Sequence, residues 1–229
     1  MDKNTLEKRL LDEGLCQVGF CRLPHTAPGL PELEYAVTLV YRLSDAVLDM
    51  ASDGPTYSYF QHYRAANALL DRCALLAGEL IAREGYRWFP VAASQSVHDQ
   101  PDKYTGFFQH KTAAVASGLG FIGRNAMFIS HKFGIRIRLA TVLTDMPLAE
   151  APVIPEKSGC GDCRACADAC PAHAVTGREW TYGMKRAELF DAEACSEHMK
   201  KAYQHIGRGS VCGICMNVCP YRHRRGNIE

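Results

Sequence analysis

The sequence predicts a mixed α/β (α+β) fold, with a sheet domain over residues 1–150 and a smaller, metal-nucleated module over residues 151–229. Three observations predict it. Stretches of strand character recur along the first region and are separated by helix-period, amphipathic segments. Eight of the eleven cysteines fall between Cys160 and Cys219. Between the two regions, residues 147–158 are rich in Pro, Ala and Glu and read as a linker.

Asn4 or Thr5 caps a first helix that carries Leu6, Leu10 and Leu11 on one face and stops at Gly14. Residues 15–22 alternate enough for a strand. Cys16 and Cys21 within it have no ligand spacing to another cysteine and read as small buried residues. A loop over 24–31 leads to Tyr35-Ala-Val-Thr-Leu-Val-Tyr41, whose β-branched and aromatic residues suit a buried strand. After Ser52-Asp-Gly-Pro-Thr56, a long helix over 57–84 places Phe60, Tyr63, Ala66, Leu70, Cys73, Ala77 and Leu80 on one apolar face. Gly85 closes it, and residues 87–92 supply another strand. Residues 94–106 turn polar, in a loop long enough to be functional rather than connective. A helix over 110–117 ends at Gly118. Strands at 126–130 and 135–144, joined across His131-Lys-Phe-Gly134, read as a hairpin.

The cysteines carry the strongest chemistry. The first run, Cys160-Gly-Asp-Cys163-Arg-Ala-Cys166-Ala-Asp-Ala-Cys170-Pro171, has the C-x2-C-x2-C-x3-C-P spacing in which the fourth thiolate ligates a second cluster. The second, Cys212-Gly-Ile-Cys215-Met-Asn-Val-Cys219-Pro220, is one cysteine short of repeating it, and Cys195 makes up the deficit. Two 4Fe-4S clusters take eight thiolates. Pseudo-symmetric exchange assigns Cys160, Cys163, Cys166 and Cys219 to one cluster, and Cys170, Cys195, Cys212 and Cys215 to the other. Structural zinc favours paired C-x2-C or Cys/His sets and does not ask for C-x3-C-P twice. Disulfides would need an oxidising compartment.

Bulk properties exclude several classes. A hydrophobic content of 47% is ample for a packed core, and a net charge of +1 gives no whole-molecule signature of a nucleic-acid or anionic-membrane binder. The sequence has no apolar run long enough for a transmembrane helix. The charged start, Met1-Asp-Lys-Asn-Thr-Leu-Glu-Lys-Arg, lacks the apolar core of a signal peptide, so a cytoplasmic location is expected.

Ser117-Gly118-Leu119-Gly120-Phe121-Ile122-Gly123-Arg124-Asn125 contains G-x-G-x-x-G. A dinucleotide site needs that pattern after a strand and opening a helix. Here a helix precedes the glycines and a strand follows them. A bend at which the backbone closely approaches a large flat ligand, or another element, fits this order better; an ordinary tight turn is the plain alternative. Arg124 and Asn125 stand at its edge as candidate partners for carboxamide or phosphate groups.

The run from His110-Lys111 through Gly118, Gly120, Gly123, Arg124 and Asn125, then Phe133-Gly-Ile-Arg-Ile-Arg through Asp145-Met-Pro147, then the cysteine runs, resembles the epoxyqueuosine reductase and reductive dehalogenase superfamily. The resemblance spans residues 57–221. It implies a cobalamin-binding sheet domain of nitroreductase-like α/β fold, followed by a ferredoxin-like module with two 4Fe-4S clusters. On that footing cobalamin lies over the glycine turn, with Ser94, His110, Gly118, Leu119, Gly120, Gly123, Arg124 and Asn125 as its contacts. A proton donor is then required near the open face. Tyr104 and His98 are favoured because they sit in the long polar loop, with Asp99 and Tyr63 also available. Two features depart from the tRNA enzymes of the family. Their proton-donor aspartate is replaced in Val91-Ala-Ala93-Ser94-Gln95 by Ala93, and residues after Cys219 amount to a short basic tail.

The resulting expectation is an iron–sulfur, cobalamin-dependent reductase. It would pass electrons from reduced ferredoxin or flavodoxin, through both clusters, to a corrinoid and on to a small-molecule or corrinoid substrate. An electron-transfer or corrinoid-handling protein without substrate chemistry is the alternative. Epoxyqueuosine reduction on tRNA ranks below both, and no membrane partner is expected.

Overall fold

The computed structural model describes residues 1–95, 97, 104–149, 151–209 and 211–223. Its centre is a four-stranded, wholly antiparallel sheet built from β1 (Gln17–Arg22), β2 (Tyr35–Arg42), β3 (Trp88–Val91) and the later strand β6 (Ile137–Thr144), in the order β1-β2-β6-β3. Two shorter strands, β4 (Gly120–Ile122) and β5 (Phe128–Ser130), pair separately.

Helices cover the main sheet on both sides, which is why β2 and β6 are apolar almost throughout rather than alternating. On one side lie α1 (Lys3–Leu11), anchored by Leu6 and Leu10, and the long α3 (Tyr57–Arg83), packed with Val37, Leu39, Ala140 and Val142. Asp2 caps α1 by accepting from the Thr5 N–H, so the cap falls earlier than Asn4 or Thr5. On the other side lies α4 (His110–Ala116), whose alanines pack against Cys21, Ala36, Val40 and Leu143. Cys21 and Cys73 are buried and Cys16 is half-buried, each among core residues.

The hairpin expected between 126–130 and 135–144 does not form. β5 pairs back onto β4, while β6 leaves it and becomes a central strand between β2 and β3. Gly120 is what allows β4 and β5 to pair. A Cβ there would lie 2.0 Å from the Ile129 carbonyl oxygen, so only glycine lets the two backbones close on each other.

The short α2 (Asp45–Asp49) joins the sheet domain to the module. The fully buried Arg136 donates to Asp45 Oδ1 at 3.1 Å and to Asn217 Oδ1 at 3.2 Å, and pairs with Asp49 at 2.7 Å. Asn217 in turn donates to the carbonyls of Leu48 and Ala51 at 3.0 and 2.7 Å. The linker is also held: Val153 N–H donates to Ala116 O at 2.8 Å. The module itself contains α5 (Ala165–Asp168), α6 (Arg186–Leu189), α7 (Ala192–Tyr203) and α8 (Ile214–Asn217), with little apolar core of its own.

Candidate functional site

The cysteines come together from separate short turns. Cys160, Cys163, Cys166 and Cys219 line one cavity of about 390 Å³, closed by Arg124, Asn125, Ile129, Pro220 and Tyr221. Cys195 stands in the first turn of α7, where it interacts electrostatically with Cys212 and Cys170, and Cys215 senses Cys212, Cys195, Cys166 and Cys170. Burial, then neighbouring thiolates, push Cys195 and Cys219 up to about 11 and Cys215 to about 12. Such sulfurs face one another at a cost that metal relieves when it takes the place of the protons. This donor set therefore suits a soft, multi-iron centre. Ala174 N–H also points at Cys170 Sγ, 3.3 Å away, a hydrogen bond of the kind that tunes cluster potential.

Beside this cavity lies a second one, of about 300 Å³. Its wall includes Ala93, Ser94, Gln95, Tyr104, His110, Lys111, Ala126, Met127, Arg138 and Arg186. A larger trough of about 930 Å³ adjoins it and shares Gln109, Lys111, Ala126 and Arg186 with it; Trp180, Met184 and Phe190 form the trough's apolar lining. Asn125 lines the thiol cavity and Ala126, the next residue, lines the pocket. Their Cα atoms are therefore about 3.8 Å apart, the span of one trans peptide.

The side chains around the pocket have defined roles. His110 Nε2 faces Ala92 O at 3.0 Å and Nδ1 faces Thr141 Oγ1 at 2.9 Å. A carbonyl only accepts, so Nε2 carries the proton and Nδ1 accepts from the threonine. Burial draws His110 from 6.5 down to about 4, so the ring is neutral and neither nitrogen is left for a metal. Arg138 stacks over the Tyr63 ring at 4.4 Å and donates to Asn67 Oδ1 at 2.9 Å and Ala93 O at 3.0 Å. The Tyr63 hydroxyl lies 3.4 Å from Ser94 Oγ. Burial works to raise Tyr63, but Arg138 and the hydrogen bonds from Ser94 and Asn67 outweigh it and leave the phenol below its ordinary value.

The residues proposed from sequence do not converge on one place. Ser94, His110 and Tyr104 reach the pocket. The Tyr104 hydroxyl, however, is held at the surface by Glu197 at 3.3 Å and Lys200 at 3.1 Å. His98 lies outside the described residues. At the glycine turn, protein occupies the space that side chains on the glycines would need. Gly118 closes α4 with φ of 71° and meets Val153; Leu119 fills the space over Gly19; Gly120 meets Ile129. Arg124 and Asn125 line the thiol cavity, and Gly123 lies next to it. A Cβ on Gly123 would sit 3.5 Å from Cys160 Sγ, Arg124 donates to the carbonyls of Gly177 and Gly161, and Asn125 donates to Cys215 O. Lys111, Arg138 and Arg186 were not singled out by motif. Arg138 did carry a signal: with Arg136 it interrupts an otherwise apolar strand at every second residue, and buried arginines are rare unless paired.

Residues 159–222 match the family model of the 4Fe-4S double cluster binding domain, which supports two clusters in the module. A tetrachloroethene reductive dehalogenase from Desulfitobacterium hafniense is 37% identical over 124 residues, covering 47% of this chain and 21% of that protein. An epoxyqueuosine reductase from Synechocystis is 31% identical over 135 residues, covering 57% and 46%. The chain thus spans between a fifth and a half of these relatives. Among solved structures, a reductive dehalogenase described as suggesting a mechanism for B12-dependent dehalogenation superposes with a TM-score of 0.67 at 21% identity, covering 93% of this chain and 31% of that one. That likeness shows a shared fold. Among the described residues, no helix is long and apolar enough to cross a membrane.

Proposed function

We propose, from the premise that this chain is a homologue of both the reductive dehalogenases and the epoxyqueuosine reductases and carries a 4Fe-4S double cluster domain, that it is a corrinoid-dependent reductase. In this reading electrons enter from reduced ferredoxin or flavodoxin and pass through the two thiol quartets. They leave at the pocket beside Ala126, for a small-molecule or corrinoid substrate. The observation that carries the reading is that Asn125 lines the thiol cavity while Ala126, the next residue, lines the pocket.

The pocket and the adjoining trough together suit a broad, amide-fringed ring. Ser94, Gln95 and Gln109 offer polar contacts at its edge, and Met127, Trp180, Met184 and Phe190 offer apolar ones. When bound there, a corrinoid supplies a cobalt centre that takes electrons from the clusters and hands them to the substrate. The chain's own part is to hold the ring, exclude water and deliver a proton. His110 stays neutral and braces the wall between Thr141 and Ala92. Tyr63 is the group we assign to proton delivery, through Ser94, because Arg138 favours its ionised form. Reduction consumes two electrons and this one proton, and the phenol is restored from solvent.

A second reading, a corrinoid-handling or electron-transfer protein, draws on Ala93. That position is buried and has no acid; its N–H donates to Asp71 Oδ1 at 2.8 Å and its carbonyl accepts from Arg138. One experiment addresses both readings. Protein purified anaerobically with both clusters is loaded with hydroxocobalamin, desalted and examined by absorption spectroscopy. Retained corrinoid that becomes reduced on addition of a low-potential donor supports the reductase. Corrinoid lost on the column, with the clusters intact, overturns it.

A further inference from the structure

The cavity that gathers Cys160, Cys163, Cys166 and Cys219 has one cationic side chain in its wall among the described residues, Arg124, and no aspartate or glutamate. Its other polar side chains are already engaged. The Tyr221 hydroxyl donates to Gly159 O at 2.8 Å, and Asn125 divides its amide between Cys215 O and the Met127 N–H. Arg124 is engaged only in part. Its two terminal nitrogens donate to the carbonyls of Gly177 and Gly161, the latter inside the 160–163 loop. Its Nε is buried and has no hydrogen-bond partner among the described residues. The turn holds the side chain close to the thiols, since a Cβ on the preceding Gly123 would stand 3.5 Å from Cys160 Sγ. The nearby acids of the cysteine loop, Asp162 and Asp168, are exposed, and Asp168 lies 4.0 Å from Arg164. A buried N–H without an acceptor costs free energy, and a sulfur-rich centre in the cavity supplies the acceptor. Such a centre with four thiolates is an anion, and each electron it takes adds negative charge. A cation beside it therefore favours the reduced form.

We propose that Arg124 sets the reduction potential of the centre held by Cys160, Cys163, Cys166 and Cys219, donating its Nε–H to a sulfur of that centre and raising the potential by its charge. The two carbonyl bonds pin the planar fork at both tips, so the Nε–H is fixed in place before any metal arrives. Cys170 and Cys212 of the second quartet face neutral groups instead, the Ala174 N–H at 3.3 Å and the Tyr203 hydroxyl at 4.0 Å. The two centres should therefore differ, the one beside the pocket being the easier to reduce. The inference rests on the reductase reading for the direction of electron flow, but not for the potential itself. In that reading one electron at a time comes to rest in the cavity whose wall ends one residue before Ala126, next to the pocket that consumes it.

The test is a redox titration followed by electron paramagnetic resonance, on the full chain purified anaerobically with both clusters assembled and no corrinoid present. Two separate potentials are expected for wild type. Arg124→Gln removes the charge and should make reduction of the higher-potential centre at least about tenfold less favourable, about 59 mV for a one-electron couple, while the other centre stays in place. Arg124→Lys keeps the charge without the fork and should recover most of that shift. Iron content checks that each variant retains both centres. No shift in Arg124→Gln, or an equal shift in both variants, overturns the proposal, the latter because the effect then comes from the lost carbonyl bonds. Where Arg124→Gln sheds a centre, the decision passes to a second arm that needs no substitution. Wild type isotope-labelled at the arginine guanidinium nitrogens, reduced and examined by pulsed resonance, should show a nitrogen coupling to one centre. Its absence overturns the hydrogen bond. If the potentials move as stated but hydroxocobalamin is lost on the desalting column, the reductase reading fails and the role of Arg124 stands. If corrinoid is retained and reduced while no potential moves, the reverse holds.

Discussion

Asn125 donates from Nδ2 to the carbonyl oxygen of Cys215 at 3.4 Å while its Oδ1 accepts the Met127 N–H at 3.2 Å. One buried amide thus touches Cys215, lines the cavity of Cys160, Cys163, Cys166 and Cys219, and fixes the turn whose next residue lines the pocket. Asn125→Ala removes both bonds and should cost about 1–3 kcal/mol. Iron content should stay unchanged while the reduction of bound corrinoid slows, as stopped-flow absorption would record. An unchanged rate would deny this residue its place on the path.

The quartet assignment is open to analysis of the metal itself. Wild type should hold about eight irons, as two four-iron centres. Cys195→Ala should retain about half of them, because only the Cys170, Cys212 and Cys215 set loses a ligand. Full retention would remove Cys195 from the ligands.

Tyr63→Phe keeps the ring under Arg138 and removes only the hydroxyl. Turnover should fall by about a hundredfold, the usual scale for losing a general acid, with corrinoid affinity unaltered. A parallel loss of affinity would mean that the hydroxyl holds the ligand instead.

His110 makes stability depend on pH in a defined direction. Its folded value is lowered to about 4, so below 6.5 the unfolded chain takes up a proton that the native state refuses. The contribution is complete above 6.5 and drains away as pH falls toward 4. Between pH 7 and 5.5 this residue alone should remove about 1.3 kcal/mol. Anaerobic urea unfolding of wild type against His110→Gln, at the two pH values, isolates it as the difference in slope.

Asn217→Ala withdraws a partner from the buried Arg136 and removes the side-chain donor to the Leu48 and Ala51 carbonyls, the first of which keeps the Ala51 N–H. A loss of about 2–4 kcal/mol is expected by denaturant titration. Arg22→Ala, which breaks an exposed pair with Glu34 whose side chains are 51% and 44% accessible, should cost under about 1 kcal/mol.

How far the sequence foretold these features depended on how local their causes are. The double-cluster domain was legible because ligand spacing is set by the reach of a few residues around one centre. β2, β6 and the long α3 were legible because burial imprints its period on side-chain choice. The pairing of β5 was not, since it turns on how closely Gly120 and Ile129 approach, a contact that periodicity cannot express. The glycine motif is ambiguous for a related reason: a missing side chain makes room for any close neighbour, and at Gly118 and Gly120 the neighbours are Val153 and Ile129. Lys111 and Arg186 are far apart in the chain, and only the packing of α4 against the module makes them a pair.

With the quartets as proposed, the span from Cys160 to Cys219 wholly encloses the span from Cys170 to Cys215, so the two metal centres tie concentric loops. Closing a loop costs chain entropy that grows with its length. The inner centre, once made, shortens the free chain that the outer one must gather. Assembly should therefore run from the inside outward, and the outer centre, the one against Asn125, should be the first to be shed when iron is scarce.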